Sequence, residues 1–143
     1  MITQTVCNSF KKGLLEGKFD FSSTTTQTFK IALYTPSATL DANTAQYTTT
    51  DESTGAGYTA GGQALTITVH PTVSVTTAYI SFGNVTWTAT TLLARGALIY
   101  KADGITNPAI AVVDFGEDKQ TNSGNFVIDF PLADAAYAIV KLA

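Results

Sequence analysis

Short runs in which apolar residues alternate with threonine constrain the fold of this chain more than any other feature. Threonine, which accounts for 25 of the 143 residues, is β-branched and stiff at χ1, so it suits a pleated sheet and is unfavourable in a helix. Turn-forming residues separate the runs at the spacing typical of two-layered β-folds, and the pattern predicts an all-β sandwich or jelly roll. The clearest strand-like runs are Phe29–Tyr34, Leu65–His70, Tyr79–Phe82, Leu92–Tyr100, Ile110–Phe115 and Phe126–Phe130.

Some runs support more specific expectations. Phe29–Tyr34 is expected to bury alternate residues on one face. Leu92–Tyr100 is apolar on both faces apart from Arg95 and Gly96, which predicts a central strand with a bulge or a close backbone approach at the glycine. Gly116–Lys119 and the residues after it predict a charged hairpin loop. Shorter strands are expected to begin with Val73 and Val75 and to occupy Val85–Trp87, and Ala136–Leu142 is predicted as the last strand.

The composition predicts one domain with an unusually neutral surface. A chain of 143 residues is long enough for one self-sufficient core, and we assign residues 1–143 to a single domain. Only 13% of the residues are charged, against roughly 25% in an average globular protein. Such a surface is better suited to a large assembly, where neighbours cover it, than to a protein that works alone.

The same numbers disfavour several classes of partner. A net charge of −3 and a pI near 4.8 remove the electrostatic attraction that dominates nucleic-acid binding. Cys7 is the single cysteine, so neither an internal disulfide nor a cysteine metal site is expected. Neither a leader nor a membrane-spanning segment is recognisable, and we expect a soluble protein that is synthesised in a cytoplasm and has no membrane partner.

The first 17 residues differ from the rest in their periodicity. Val6, Phe10 and Leu14 recur every four residues, and Gly17 stands where a helix commonly ends. We therefore predict a short amphipathic helix, Thr5–Glu16, capped by a threonine at its start. Since a helix of this length is marginal alone, its apolar stripe is expected to dock on the sheet or on a neighbouring subunit.

Residues 37–62 form the least regular part of the sequence and predict a long surface loop. Loops of this length are commonly functional or interface-forming. Within it, Tyr47 and Tyr58 are candidate interface anchors, because tyrosine combines a large contact area with a polar tip. Gly57 and Gly61, in the glycine-rich stretch 55–62, are candidates for a turn held by a neighbouring chain or by the sandwich itself. A plain surface turn is the alternative.

Catalytic and metal-binding patterns are missing from the sequence. His70 is the only histidine, which leaves neither a second zinc ligand nor a serine-hydrolase triad. Asp114, Glu117 and Asp118 are expected in a solvated turn, with a weak Ca²⁺ site as the alternative. The glycine-rich stretch has no Lys-Ser/Thr after it and predicts no phosphate site. We therefore expect no enzymatic activity, no catalytic residues, no metal and no cofactor.

Trp87 is the only tryptophan and has two possible roles. It is either a core residue or, if exposed, a platform on which a carbohydrate ring could stack.

Five stretches of the sequence are distinctive when taken together: residues 2–17, Phe29–Thr35, Gly55–Gly62, Ala94–Tyr100 and Phe126–Asp134. They resemble a family of small virion structural proteins of tailed bacteriophages. The resemblance runs nearly from end to end, and it implies a protein of the virion without catalytic residues. It does not distinguish between the head and the tail of the particle.

Proteins of this size and fold in such virions commonly serve as capsid decoration, or cement, proteins. Low charge, a docking helix and a long irregular loop favour that role, in which the partners are the major capsid protein, other virion proteins and further copies of the chain in a homo-oligomer. The chain has neither the internal repeats nor the stalk segment expected of a fibre. A tail component, such as an adaptor, tube or fibre-associated protein, is the alternative. A carbohydrate-binding module is a further one, favoured only by Trp87 and the tyrosines.

Overall fold

The computed structural model describes all residues 1–143 and confirms an all-β sandwich with one short helix. A single apolar core of 29 buried residues joins its three antiparallel sheets. The elements in chain order are β1 (Thr5–Val6), α1 (Asn8–Leu15), β2 (Phe29–Tyr34), β3 (Gln63–Ala64), β4 (Ile67–Ser74), β5 (Thr77–Phe82), β6 (Val85–Thr90), β7 (Leu93–Lys101), β8 (Ala109–Gln120), β9 (Gly124–Ile128) and β10 (Val140–Leu142).

The largest sheet has five strands in the order β1-β8-β7-β2-β3. Its long central strands β7 and β2 pair in continuous register from Phe29↔Lys101 to Tyr34↔Gly96. The second sheet has the order β10-β5-β4, and the third consists of β6 and β9. Because β2 is an inner strand, paired with β7 and β3, and residues 35–62 cover its outer face, Ala32 and Tyr34 are as buried as Ile31 and Leu33. The expectation that β2 buries only one face was therefore wrong.

The predicted close approach at Gly96 is confirmed. The pairing of β7 with β8 shifts register between Ala94 and Gly96. A Cβ at Gly96 would lie 2.5 Å from the carbonyl oxygen of Val113 and 2.9 Å from the side chain of Ile2. The glycine therefore lets the N-terminal residues pack directly onto the central strand.

The N-terminal segment contains a shorter helix than predicted. Thr5 and Val6 pair with β8 as a strand, and the helix begins only at Asn8 after Cys7, whose side chain makes no capping hydrogen bond. The predicted end is correct: Gly17 has φ 71°, and its N–H donates to Leu14 O while Lys18 N–H donates to Gly13 O, a Schellman motif.

Two other boundaries differ from the expectation. Strand β8 continues through the charged residues to Gln120, because Lys119 and Gln120 pair with Ala94 and Leu93 of β7. Only residues 121–123 connect β8 to β9, and the predicted hairpin loop is wrong, because β9 pairs with β6 and not with β8. Strand β4 runs through Pro71, where its register with β5 is irregular. Proline is tolerated there because β4 is an edge strand.

The one helix has eight residues, and no helix of the structure is long and apolar enough to cross a membrane.

Candidate interaction surfaces

Residues 35–62, which we call the loop platform, contain no helix or strand and yet are fixed to the large sheet. Glu52 is at the centre of this attachment. It is buried, with only 6% of its surface exposed. Its Oε2 accepts a hydrogen bond from Tyr47 Oη at 2.7 Å, and its Oε1 accepts two, from Tyr58 Oη and the Gly61 N–H, both at 2.7 Å. Glu52 forms no salt bridge. Three donors thus replace the water that this carboxylate loses on burial.

Tyrosines from the sheet complete the network. Tyr58 Oη accepts a hydrogen bond from the Leu33 N–H at 2.9 Å. Tyr100 Oη donates to Gly61 O at 2.7 Å, and Tyr34 Oη donates to Thr48 O at 2.6 Å. The rings of Tyr47 and Tyr100 stack with their centroids 4.8 Å apart. Four of the six tyrosines of the chain therefore join the loop platform to β2 and β7.

This burial shifts the pKa values of the tyrosines. Desolvation, with Glu52 nearby, raises the pKa of Tyr100 to about 12. Burial likewise raises the pKa of Tyr34, and burial together with the hydrogen bond to Glu52 raises the pKa of Tyr47 and Tyr58 well above the ordinary value. The four phenols therefore stay neutral donors at physiological pH.

The glycine-rich stretch 55–62 is held by the sandwich itself. At Gly62, φ is +75°, and a Cβ would lie 1.8 Å from the carbonyl oxygen of Ile31. Gly57 has φ +79° and lies against the carbonyl oxygens of Thr88 and Ala89. A neighbouring chain and the sandwich itself were the two expected sources of this support. The contacts that hold the glycines come from the sandwich.

Tyr47 and Tyr58 are engaged within the chain. Their hydroxyl groups are bound by Glu52 and their rings pack against Tyr100 and Trp87, respectively. Both side chains are partly buried and not exposed as expected, because the hydrogen-bonding tip that suits an interface equally suits a buried carboxylate. Their role as interface anchors stays a prediction. Gly61 is also buried, and only Gly57 among these loop candidates is exposed.

The helical stripe is likewise used inside the domain. Phe10 is fully buried, with its ring 4.8 Å from Phe19 and 6.0 Å from Phe21. Leu14 is partly buried against the same core. Val6 belongs to β1 rather than to the helix. Of the two predicted docking sites for this segment, its own sheet is the one occupied.

Trp87 is a core residue with only 2% of its surface exposed. Its ring packs near Tyr58 and Phe126, at centroid distances of 6.0 and 6.1 Å. Its buried Nε1 has no hydrogen-bond partner. No face of the ring is open to a sugar, so the residue that favoured a carbohydrate-binding module does not support one.

The remaining titratable candidates do not converge on a group that could hold a metal ion. His70 is exposed, with Nδ1 3.0 Å from Phe21 O. Asp114 and Asp118 lie along β8, not in a turn, and both contact Arg95, at 3.2 and 3.5 Å. Glu117 pairs with Lys119. The two aspartates of the alternative Ca²⁺ site are thus both paired with the Arg95 guanidinium.

The outer face of the loop platform is a surface that the Glu52 hydrogen bonds fix in shape. Threonine is the commonest of its exposed residues, and Asp51 is its one exposed charge. Sequence analysis missed Glu52, which fixes this face. The available signal was a glutamate within a nearly uncharged stretch flanked by tyrosines. The exposed threonines are Thr39, Thr48, Thr49, Thr50, Thr54 and Thr59.

No protein-family model matches the chain, and neither a curated protein nor a solved structure shows a significant match to it.

Proposed function

We propose that this protein is a structural component of a tailed-bacteriophage virion, and specifically a decoration (cement) protein that stabilises the contacts between capsomers. Its partners are the major capsid protein, other virion proteins and further copies of itself, and it carries out no chemical step. The sequence resemblance supports the phage assignment. The observation that carries the decoration role is the loop platform, a neutral surface fixed in shape by Glu52.

A surface of this kind is suited to binding an assembled lattice. Because the loop platform is already ordered, binding costs little further conformational entropy. Because its exposed residues are nearly uncharged, few charges must be desolvated at a broad contact. A protein that binds only the assembled lattice stabilises the assembled state by mass action.

Co-sedimentation of the purified protein with empty heads tests the proposal. Replacing the exposed Thr54 and Thr59 with arginine places two bulky charges on the loop platform without touching the Glu52 network. We expect this double variant to keep its fold and lose occupancy on heads. Thr26→Arg, at an exposed threonine in the linker before β2, is the matched control and should bind normally.

Removal of the protein from particles distinguishes the head from the tail. Particles that lack it should rupture at a lower temperature or lower internal DNA pressure, and added purified protein should restore them. If its removal leaves heads equally stable but prevents tail assembly or adsorption, the decoration role is refuted and the protein is a tail component.

A further inference from the structure

The tip of the hairpin between β4 and β5 contains a valine in an unfavourable backbone conformation. Ser74 pairs with Thr77, so the turn has two residues, Val75 and Thr76. Val75 has φ +56°, a region that β-branched residues rarely adopt and that hairpin turns usually fill with glycine, asparagine or aspartate. Its surface is 96% exposed. The side chain therefore contributes almost nothing to packing within the monomer while it strains the turn.

Next to the tip, the apolar face of the sheet continues beyond the core. Leu142 pairs with Ala78, and Ala78 pairs with Val73 on its other side. Residues directly opposite each other in an antiparallel sheet point to the same face, so the three form one row. Leu142 is 60% and Val73 67% exposed. An apolar row across three strands is thus left uncovered beside the strained tip.

The same face forms the floor of an open apolar groove of about 290 Å³. Ala78, Ile80 and Leu142 line the floor, and Leu14 and Phe19 line the side formed by the helix and the linker after it. One chain therefore has both a projecting apolar tip and an apolar groove, and both lie on the β10-β5-β4 sheet.

We propose that the hairpin tip of one molecule, Val73 and Val75, inserts into the groove of a second copy of this chain. Residues 72–77 carry no charge, so the tip fits an apolar recess and not a charged surface. The groove is also large enough, because its volume of about 290 Å³ exceeds the volume of about 150 Å³ that accommodates the six carbons of benzene, and two valine side chains together contain six carbons. A monomer that exposed both surfaces would be prone to uncontrolled association unless they met each other.

This inference concerns the purified protein alone, so its failure and that of the virion proposal are distinguishable. The test is sedimentation equilibrium over a wide concentration range, together with urea unfolding of each variant at a concentration at which it is monomeric. Val75→Gly relieves the strained φ and removes the inserted side chain. We expect it to raise the urea midpoint of the monomer and to weaken self-association about tenfold or more.

Mixing two variants tests whether tip and groove meet. Leu142→Asp places a charge in the groove and leaves the tip intact. Val75→Gly removes the side chain at the tip and leaves the groove intact. Each variant alone should self-associate weakly, and the mixture should associate more tightly than either. Ile105→Ser, which removes an equally exposed apolar side chain from a different loop, should leave self-association unchanged.

A wild-type protein that stays monomeric at millimolar concentration would overturn the proposal. So would unchanged self-association of Val75→Gly, a lowered urea midpoint for that variant, or a mixture that associates no better than its components.

Discussion

The Tyr58 hydroxyl donates a 2.7 Å hydrogen bond to Glu52 and accepts a 2.9 Å hydrogen bond from the backbone N–H of Leu33. One phenol thus connects a buried carboxylate of the loop platform to the central strand β2. The position of the loop therefore depends on the sheet, and an unpaired Glu52 would be expensive to bury. This connection explains how 28 residues without regular secondary structure keep a fixed shape.

Glu52→Ala should destabilise the protein severely. It leaves the Tyr47 and Tyr58 hydroxyls and the Gly61 N–H without their acceptor, and each unsatisfied buried donor costs about 1–3 kcal/mol. We expect a loss of about 3 kcal/mol or more in the free energy of unfolding measured with urea. Glu52→Gln keeps one acceptor oxygen in place and should lose about 1 kcal/mol.

Glu16→Ala, at an exposed glutamate, is the control and should change stability little. Equal losses for Glu52→Gln and Glu52→Ala would show that the negative charge, and not the set of hydrogen bonds, holds the loop platform.

Stability should fall at alkaline pH. The folded pKa values of Tyr34, Tyr47, Tyr58 and Tyr100 are all raised, whereas an unfolded tyrosine titrates near 10. Above pH 10 the unfolded state therefore binds fewer protons than the native state. The contribution of the neutral phenols to the free energy of unfolding is complete below pH 10. It decreases by about 1.4 kcal/mol per pH unit for each buried tyrosine as the pH rises toward the folded pKa.

Urea unfolding between pH 8 and pH 11 measures this slope. Tyr100→Phe, which removes one of the four phenols and keeps the ring stacked on Tyr47, should show a shallower slope than the wild type. If the free energy of unfolding of the wild type does not change with pH above pH 10, these phenols are not buried in solution.

Gly62→Ala should be far more damaging than alanine at a comparable glycine. Its Cβ would overlap the carbonyl oxygen of Ile31, which cannot move without displacing β2. Gly104 has a similar φ, +73°, with nothing within 4 Å of the Cβ position. Gly104→Ala should therefore cost only the strain of the left-handed conformation, about 1 kcal/mol. Differential scanning calorimetry of the two variants compares them directly, and equal melting temperatures would contradict the close packing at Gly62.

Local pattern was sufficient to predict much of the sheet structure. The span Phe29–Tyr34 and the irregularity at Gly96 follow from alternation and from a glycine inside an apolar run. The charged half of β8 could not be predicted in the same way. Its strand conformation depends on pairing with β7 and on Arg95, which lies between Asp114 and Asp118. These partners are about 20 residues apart in sequence, and only the tertiary fold brings them together.

The candidate residues were less predictable than the strands, for a related reason. A tyrosine in a loop rich in glycine and threonine fits an exposed anchor and a buried donor equally well. Tyr47 and Tyr58 proved to be donors because Glu52 lies between them, and the sequence does not show which way that carboxylate points. The strained Val75 is also invisible to sequence analysis, since its φ depends on the register of β4 with β5.

The Cys7 thiol should be unreactive in the native protein and can report on the docking of the N-terminal helix. Burial raises the pKa of Cys7 to about 11, so at pH 8 roughly one thiol in a thousand is ionised, and the thiolate is the reactive form. Its side chain is also fully inaccessible. A disulfide reagent should therefore label the wild type only as fast as the segment opens.

Phe10→Asp, which places a charge among Phe19 and Phe21, should be labelled rapidly because the helix cannot stay docked. Lys11→Asp, on the exposed side of the same helix, is the matched control and should label as slowly as the wild type. If the wild type is labelled rapidly at pH 8 while the sandwich remains folded, the helix undocks independently of the sandwich.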